Sequence, residues 1–212
     1  MAQILQKRAA LDCGSVPITM RVLATALGEY SAILAKASAL VKEGVLIRIK
    51  RGLYCLSPKV SGQDLNLHMI ANTLYAPSYL SFESALAVYG LIPEHVTETM
   101  SACTKRGKYF QTPVGTFSYQ KVPSDWFSIG IRSLPSGEGN ILIASPEKAL
   151  GDLLLARERL RITSPKALRM FLEDDLRFDF DAFQNPDRRI FSAMAQCGHK
   201  TPLFTALERL FS

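Results

Sequence analysis

Residues 45–56, VLIRIKRGLYCL, constrain the fold more than any other stretch of the chain. Apolar residues alternate with other residues up to the bend, which is the period of a strand with one buried face. A glycine, Gly52, lies in the bend, and the apolar tetrapeptide LYCL returns from it. The segment therefore predicts a short β-hairpin. The bend carries three cations and no acid: Arg48, Lys50 and Arg51.

Two helices are predicted directly before this hairpin, and a further short helix is predicted over residues 2–11. Thr19 offers an N-cap for a helix that Gly28 ends, and Ser31 caps a second helix that stops at Gly44. The apolar positions of the second helix recur at helical spacing and predict an inward stripe at Ile33/Leu34, Ala37 and Leu40/Val41. The outward set is Ser31, Ala32, Ala35, Lys36, Ala39 and Lys42. Two helices with a tight turn and then a hairpin predict a winged helix-turn-helix.

The net charge of +6 is confined to the first part of the chain. Residues 1–60 hold nine Lys and Arg against three Asp and Glu, whereas residues 61–212 hold sixteen of each sign. Localised positive charge favours a polyanion, because each cation that neutralises a phosphate releases condensed counterions. The second helix is therefore predicted to face a major groove, and the hairpin cations to contact phosphate or enter the minor groove.

The rest of the chain predicts a second, neutral α+β domain. The stretch SPKVSGQDLN has the composition of a linker, so we place the domain boundary between residues 60 and 61. Asp64 is predicted to cap the next helix, and another helix spans residues 82–89. Short alternating segments within residues 96–144 predict a small, mostly antiparallel sheet. Four C-terminal helices begin at Ser145–Pro146, Ser164–Pro165, near Pro186 and at Thr201–Pro202.

Several classes of protein are disfavoured by the composition. The apolar runs are far shorter than the about 20 residues that a membrane span needs. The N-terminal residues lack the layout of a signal peptide, so a cytoplasmic protein without a membrane partner is expected. The four cysteines, Cys13, Cys55, Cys103 and Cys197, are widely spaced, which disfavours zinc and fits free thiols in a reducing compartment. No metal and no cofactor are predicted.

Catalytic alternatives find little support in the sequence. No glycine-rich phosphate loop, H-E-x-x-H or G-x-S-x-G motif is present. Glu147 is predicted to be a first-turn helix residue, and Lys148 with Asp152 an ion pair within one helix. A serine triad with His68 or His95 is conceivable but lacks a supporting motif. We therefore expect no enzyme activity.

A second basic cluster, TKRGKYF, lies within the neutral domain. Its cations Lys105, Arg106 and Lys108 are typical of a solvated hairpin bend. The neighbouring aromatic residues support a second interpretation, in which this cluster contacts nucleic acid and its rings stack on bases. At alternating strand positions such rings are more often part of a core: Tyr109, Phe110, Phe117 and Tyr119.

Four motifs, in this order, resemble the AbiEi-type antitoxins of bacterial type IV toxin–antitoxin systems. They are RGLYCL after the helix pair, PSYLSFESALAVYGLIPE, GTFSYQKV and IASPEKALGDLLL. The resemblance covers residues 15–160; residues 161–212 match only loosely.

The resemblance implies a transcriptional autorepressor that is also an antitoxin. Its winged helix would bind inverted repeats of double-stranded DNA in its own promoter. Its larger domain would counteract a nucleotidyltransferase-type toxin without a stable complex. The alternatives left open are an enzyme acting on nucleic acid with a winged-helix delivery module, and a ligand-sensing transcription regulator. The predicted DNA-binding residues are Arg21, Ser31, Lys36, Lys42, Arg48, Lys50 and Arg51.

Overall fold

The computed structural model describes residue 14 and residues 16–27, 32–93 and 97–211. The predicted helix over residues 2–11 lies outside the described residues, as do Cys13, Gly28, Ser31 and His95. Within the described part the chain is a mixed α+β protein, as predicted.

The N-terminal part consists of two helices and a three-stranded antiparallel sheet in the order β1–β3–β2. Its elements are β1 (Ile18–Thr19), α1 (Met20–Leu27), α2 (Ile33–Lys42), β2 (Leu46–Lys50) and β3 (Leu53–Leu56). Thr19 Oγ1 accepts the backbone N–H of Val22 at 3.4 Å, which is its predicted capping role. At the end of α2, Gly44 adopts φ +71, and the N–H of Val45 donates to the Leu40 carbonyl at 2.9 Å. Both helices and the hairpin therefore lie where the sequence predicts them.

Strand β3 is covered on both faces, and all four of its residues are buried. Tyr54 and Leu56 pack with the residues of α1 and α2 in one hydrophobic cluster. Leu53 and Cys55 belong to a second cluster, which includes residues of the later helix α4 (Leu67–Leu74). The small sheet is thus packed between the helix pair on one side and the rest of the chain on the other.

The second sheet has six strands in the order β6–β7–β5–β4–β9–β8. The strands are β4 (Ser78–Leu80), β5 (Glu98–Cys103), β6 (Lys108–Thr112), β7 (Gly115–Lys121), β8 (Ile131–Ser136) and β9 (Gly139–Ala144). Three of its five strand pairings are antiparallel, in line with the predicted mostly antiparallel sheet, whereas β4–β9 and β5–β7 pair in parallel. The sequence analysis missed β4, whose three residues are all buried and lack alternation, and β4 joins the two halves of the sheet.

The remaining helices surround this sheet. They are α3 (Pro58–Ser61), α4 (Leu67–Leu74), α5 (Phe82–Val88), α6 (Ser124–Phe127), α7 (Pro146–Ala156), α8 (Pro165–Asp174), α9 (Arg188–Gln196) and α10 (Thr201–Leu210). Ser145 and Ser164 accept backbone N–H groups as N-caps, as predicted. The predicted Asp64 cap is wrong, because Asn66 Oδ1 accepts the N–H of Met69 at 3.0 Å. The main core lies between the sheet and helices α5, α7 and α8–α10.

The predicted linker contains the short helix α3, and the hydrophobic cluster of Leu53 and Cys55 continues across it. The domain boundary after residue 60 stays a prediction. Cys55, Cys103 and Cys197 are free thiols. Among the described residues, no helix combines the length and apolar character needed to cross a bilayer.

Candidate nucleic-acid interface

Helix α2 presents an outward face of small and cationic side chains. Ile33, Ala37 and Leu40 are buried beneath it. The described residues of the predicted outward set that are fully exposed are Ala35, Lys36, Ala39 and Lys42. Ala32 is only half-exposed, and Ser31 lies outside the described residues. Small side chains let a helix backbone approach the base edges of a groove, and the two lysines supply positive charge there.

Two apolar side chains add to this surface. Of the alternatives Ile33 and Leu34, Ile33 is the buried residue, whereas 63% of the Leu34 surface is exposed. Val22 on α1 is 45% exposed. The sequence alone cannot predict that Leu34 rather than Ile33 is exposed, because both residues satisfy the same helical spacing. Only the tertiary packing determines which of the two is buried. An exposed Leu can make an apolar contact with a thymine methyl group.

Three further cations predicted to bind DNA are solvent-exposed. Arg48 lies on β2, and Arg51 lies at the hairpin bend beside Gly52, which adopts φ +80. Arg21 is exposed in the first turn of α1. The backbone N–H of Met20 donates to the Gly52 carbonyl at 3.0 Å, so the start of α1 is tied to the hairpin bend.

A β-bulge separates Lys50 from Arg48. Arg48 pairs with Tyr54 but Lys50 pairs with Leu53, so Ile49 is an extra residue on β2. Paired residues of antiparallel strands share a face. Tyr54 belongs to the cluster with the helices and Leu53 to the cluster on the other side. Arg48 therefore lies on the α1/α2 side of the sheet, whereas Lys50 lies on the opposite side.

Lys50 meets the second basic cluster on that opposite side. Its ammonium donates a hydrogen bond to the Leu74 carbonyl at the end of α4. Lys105 Nζ donates to the carbonyl of Ala76, two residues further on, at 2.6 Å. Burial lowers the pKa of Lys50 below its ordinary value, and repulsion from Lys108 and Lys105 lowers that pKa further. The two basic segments, separate in sequence, thus form one group, which we call the junction lysine cluster: Lys50, Lys105 and Lys108.

Aromatic rings lie beneath the junction lysine cluster. Lys108 Nζ is 4.9 Å from the ring centroid of Phe110 and 5.6 Å from that of Tyr75. Lys105 Nζ is 5.5 Å from the Tyr75 centroid, and Lys50 Nζ is 6.0 Å from the Phe110 centroid. These distances are those of cation–π contacts. The predicted alternative, that these rings are core, holds for Phe117 and Tyr119, which are buried, whereas 61% of Tyr109 is exposed.

The carboxylates considered as catalytic groups have structural partners. Asp152 is fully buried and accepts hydrogen bonds from Tyr79 and Ser81 on one oxygen and from Trp126 on the other. Lys148 Nζ lies 3.0 Å from Asp152 Oδ1, which is the predicted ion pair. Every lone-pair direction of the Asp152 carboxylate is therefore directed at a protein donor, so Asp152 has no free oxygen for a metal ion or substrate.

Glu147, His68 and His199 also have structural surroundings. Glu147 lies in the first turn of α7, as predicted, and its Oε1 accepts the backbone N–H of Asp187 at 2.9 Å. His68 is half-buried in α4, where burial lowers its pKa. The sequence analysis missed an exposed pair in which His199 Nε2 lies 3.1 Å from Asp125 Oδ2. No group of three or more potential metal ligands occurs among the described residues.

No protein-family model matches this chain, and no curated protein sequence matches it. The resemblance to AbiEi-type antitoxins therefore stays an interpretation of the sequence motifs.

Proposed function

We propose that the chain is a transcription regulator that binds double-stranded DNA through a winged helix formed by residues 16–56. The observation that carries the proposal is the exposed cationic surface of α2 and of the hairpin bend. The helices and strands that carry this surface follow one another in the order expected of a winged helix. Two helices cover one face of a three-stranded antiparallel sheet, and its last two strands form the hairpin. In winged helices the second helix enters the major groove and the hairpin contacts the neighbouring backbone.

The contacts in this proposal follow from side-chain chemistry. Lys36 and Lys42 would approach phosphates or guanine edges at the major groove, while Ala35 and Ala39 allow close approach. Arg48 and Arg51 would lie against the sugar–phosphate backbone or in the minor groove. Lys50 is directed away from this surface, so Arg48 and Arg51 form the DNA-contacting part of the hairpin.

The regulatory role and the antitoxin role rest on the motif resemblance alone. We propose that the target is an inverted repeat in the promoter of the protein's own gene, occupied by two copies of the chain. We further propose that the chain counteracts a nucleotidyltransferase-type toxin without a stable complex. The buried, fully bonded Asp152 favours this binding function over the alternative of an enzyme that uses that carboxylate.

DNase I footprinting with the full chain on DNA upstream of its own gene tests the DNA-binding part. We expect two protected half-sites with inverted sequence, and no protection on a shuffled fragment of the same composition. Protection that is equal on both fragments would contradict a specific operator.

Co-expression tests the antitoxin part separately. If a nucleotidyltransferase-like gene neighbours this gene, its expression should arrest growth, and the full chain should restore growth. The two proteins should not co-purify. Failure to restore growth at matched expression would contradict the antitoxin proposal and leave the DNA-binding proposal unaffected.

A further inference from the structure

The junction lysine cluster concentrates like charges without a neutralising acid. Among the described residues, no ion pair joins Lys50, Lys105 or Lys108 to a carboxylate. Like charges at close range destabilise a fold, and a neighbouring Asp or Glu would neutralise them. A cationic cluster without such a carboxylate is suited to bind an anion from outside the protein.

The internal contacts of the cluster account for only part of its charge. The ammonium groups of Lys50 and Lys105 each have a backbone carbonyl partner near the end of α4. Negative potential at a helix C-terminus explains why they are held there. Lys108 has ring contacts and is exposed to solvent. Each ammonium carries three donors, so most of the donors of the cluster remain available to phosphate oxygens.

The position of the cluster separates it from the proposed duplex surface. Because of the bulge at Ile49, Lys50 lies on the side of the small sheet opposite to Arg48 and the helix pair. A duplex lying along α2 would be on the other side of the hairpin. The ligand of the cluster is therefore expected to be a second molecule or a separate segment.

Exposed aromatic surface beside the cluster indicates what kind of anion it fits. Strand β6, which carries Lys108, is one of the two edge strands of the second sheet. Tyr75 and Phe110 are half-exposed under the lysines, and Phe110 shares a face of β6 with Lys108, whereas Tyr109 lies on the opposite face. Unpaired bases stack on such rings, whereas the bases of a duplex are already stacked on one another.

We propose that the junction lysine cluster binds single-stranded nucleic acid, with the lysines on its phosphates and a base stacked on the exposed part of the Phe110 or Tyr75 ring. The site is formed jointly by the hairpin and by β6, so both parts of the chain contribute to it. This inference does not depend on the proposed operator binding, because it uses a different face of the hairpin.

Fluorescence anisotropy with the full chain tests the proposal. The probes are fluorescein-labelled oligo(U) and oligo(dT) of about 15 nucleotides, within the site sizes known for single-strand binders. The third probe is a random duplex of similar length. At about 50 mM salt, the double variant Lys105→Ala/Lys108→Ala should bind the single strands about tenfold more weakly than the parent. Its affinity for the duplex should equal that of the parent. The slope of log K against log salt should become shallower by about 1.4 for the single strands. Comparison of oligo(U) with oligo(dT) tells whether RNA or DNA is preferred.

A charge-matched control is Lys59→Ala/Lys166→Ala, which removes two exposed lysines outside the cluster. It should leave single-strand affinity within about twofold of the parent. If the double variant unfolds, the single variant Lys108→Ala replaces it in the experiment. This variant should stay folded, because the cation–π contacts of Lys108 contribute less to stability than the hydrogen bond from Lys105 to a carbonyl. Lys108→Ala should weaken single-strand binding about threefold. The proposal is overturned if these variants bind the single strands as tightly as the control, or if duplex binding falls in parallel.

Discussion

Lys148 and Asp152 form an ion pair within α7, with 3.0 Å between Nζ and Oδ1, and both side chains are fully buried. Lys148 Nζ also donates to the Trp126 carbonyl at 2.7 Å, and Trp126 Nε1 donates to Asp152 Oδ1 at 2.6 Å. The pair thereby ties α7 to the short helix α6 and, through Tyr79, to β4. It is a connection inside the core of the second sheet.

Asp152→Asn should strongly destabilise the protein. The substitution preserves the size of the side chain but leaves the Lys148 ammonium buried without a counter-charge, which costs about 3–5 kcal/mol. Urea unfolding followed by circular dichroism measures this loss, and Asp125→Asn at the exposed His199 pair serves as the control. A loss below about 1 kcal/mol for Asp152→Asn would mean that the pair carries little of the core's stability.

Lys50→Ala should have little effect on either stability or duplex binding. The free energy of unfolding should change by less than about 1 kcal/mol, because the lost hydrogen bond to Leu74 is offset by relief of the repulsion from Lys105 and Lys108. Duplex affinity should stay within about twofold of the parent, because the bulge directs Lys50 away from the proposed duplex-binding surface. A large loss of duplex affinity with unchanged stability would show that Lys50 contacts the duplex after all.

The three described thiols should differ in reactivity. Burial raises the pKa of Cys55 to about 12, and Cys55 and Cys103 have no exposed surface. Cys197 is only half-buried. Iodoacetamide at neutral pH, followed by peptide mass spectrometry, should label Cys197 well before Cys55 or Cys103. All three should react at similar rates in urea. Rapid labelling of Cys55 in the native protein would contradict the packing of β3 between two clusters.

His68 should make stability depend on pH below neutrality. Burial lowers its pKa in the folded state, so the unfolded chain takes up a proton first as the pH falls below about 6.5. This contribution to stability is present above the ordinary histidine pKa and is lost as the pH falls towards the lowered value. Unfolding experiments between about pH 7.5 and about pH 5.5 should show a smaller loss for His68→Gln than for the parent. Parallel curves for the two proteins would exclude this role.

The sequence predicts the local elements of this fold better than the contacts between them. Thr19, Gly44 and the alternation up to Gly52 act through local geometry, so the helix pair and the hairpin follow directly from the sequence. The bulge at Ile49 cannot be predicted in this way, since it depends on what packs against each face of β2. Strand β4 was missed because its residues are buried on both faces and show no period.

The candidate site shows the same division. The exposed positions of α2 follow from helical spacing, except that Leu34 and Ile33 are indistinguishable by spacing alone. The meeting of Lys50 with Lys105 and Lys108 depends on how the small sheet packs against α4 and the second sheet. Such a contact between segments distant in the chain leaves no signal in a single sequence.

The central claim is that cations on the hairpin and α2 bind a DNA duplex, and the most direct test is the salt dependence of duplex affinity for Arg48→Ala/Arg51→Ala. This variant should bind DNA from upstream of the protein's own gene about tenfold more weakly than the parent at low salt. Its slope of log K against log salt concentration should be shallower by about 1.8. Arg159→Ala/Arg188→Ala removes the same charge from exposed positions of the second half and should match the parent. Equal affinities and equal slopes for the two variants would contradict the account.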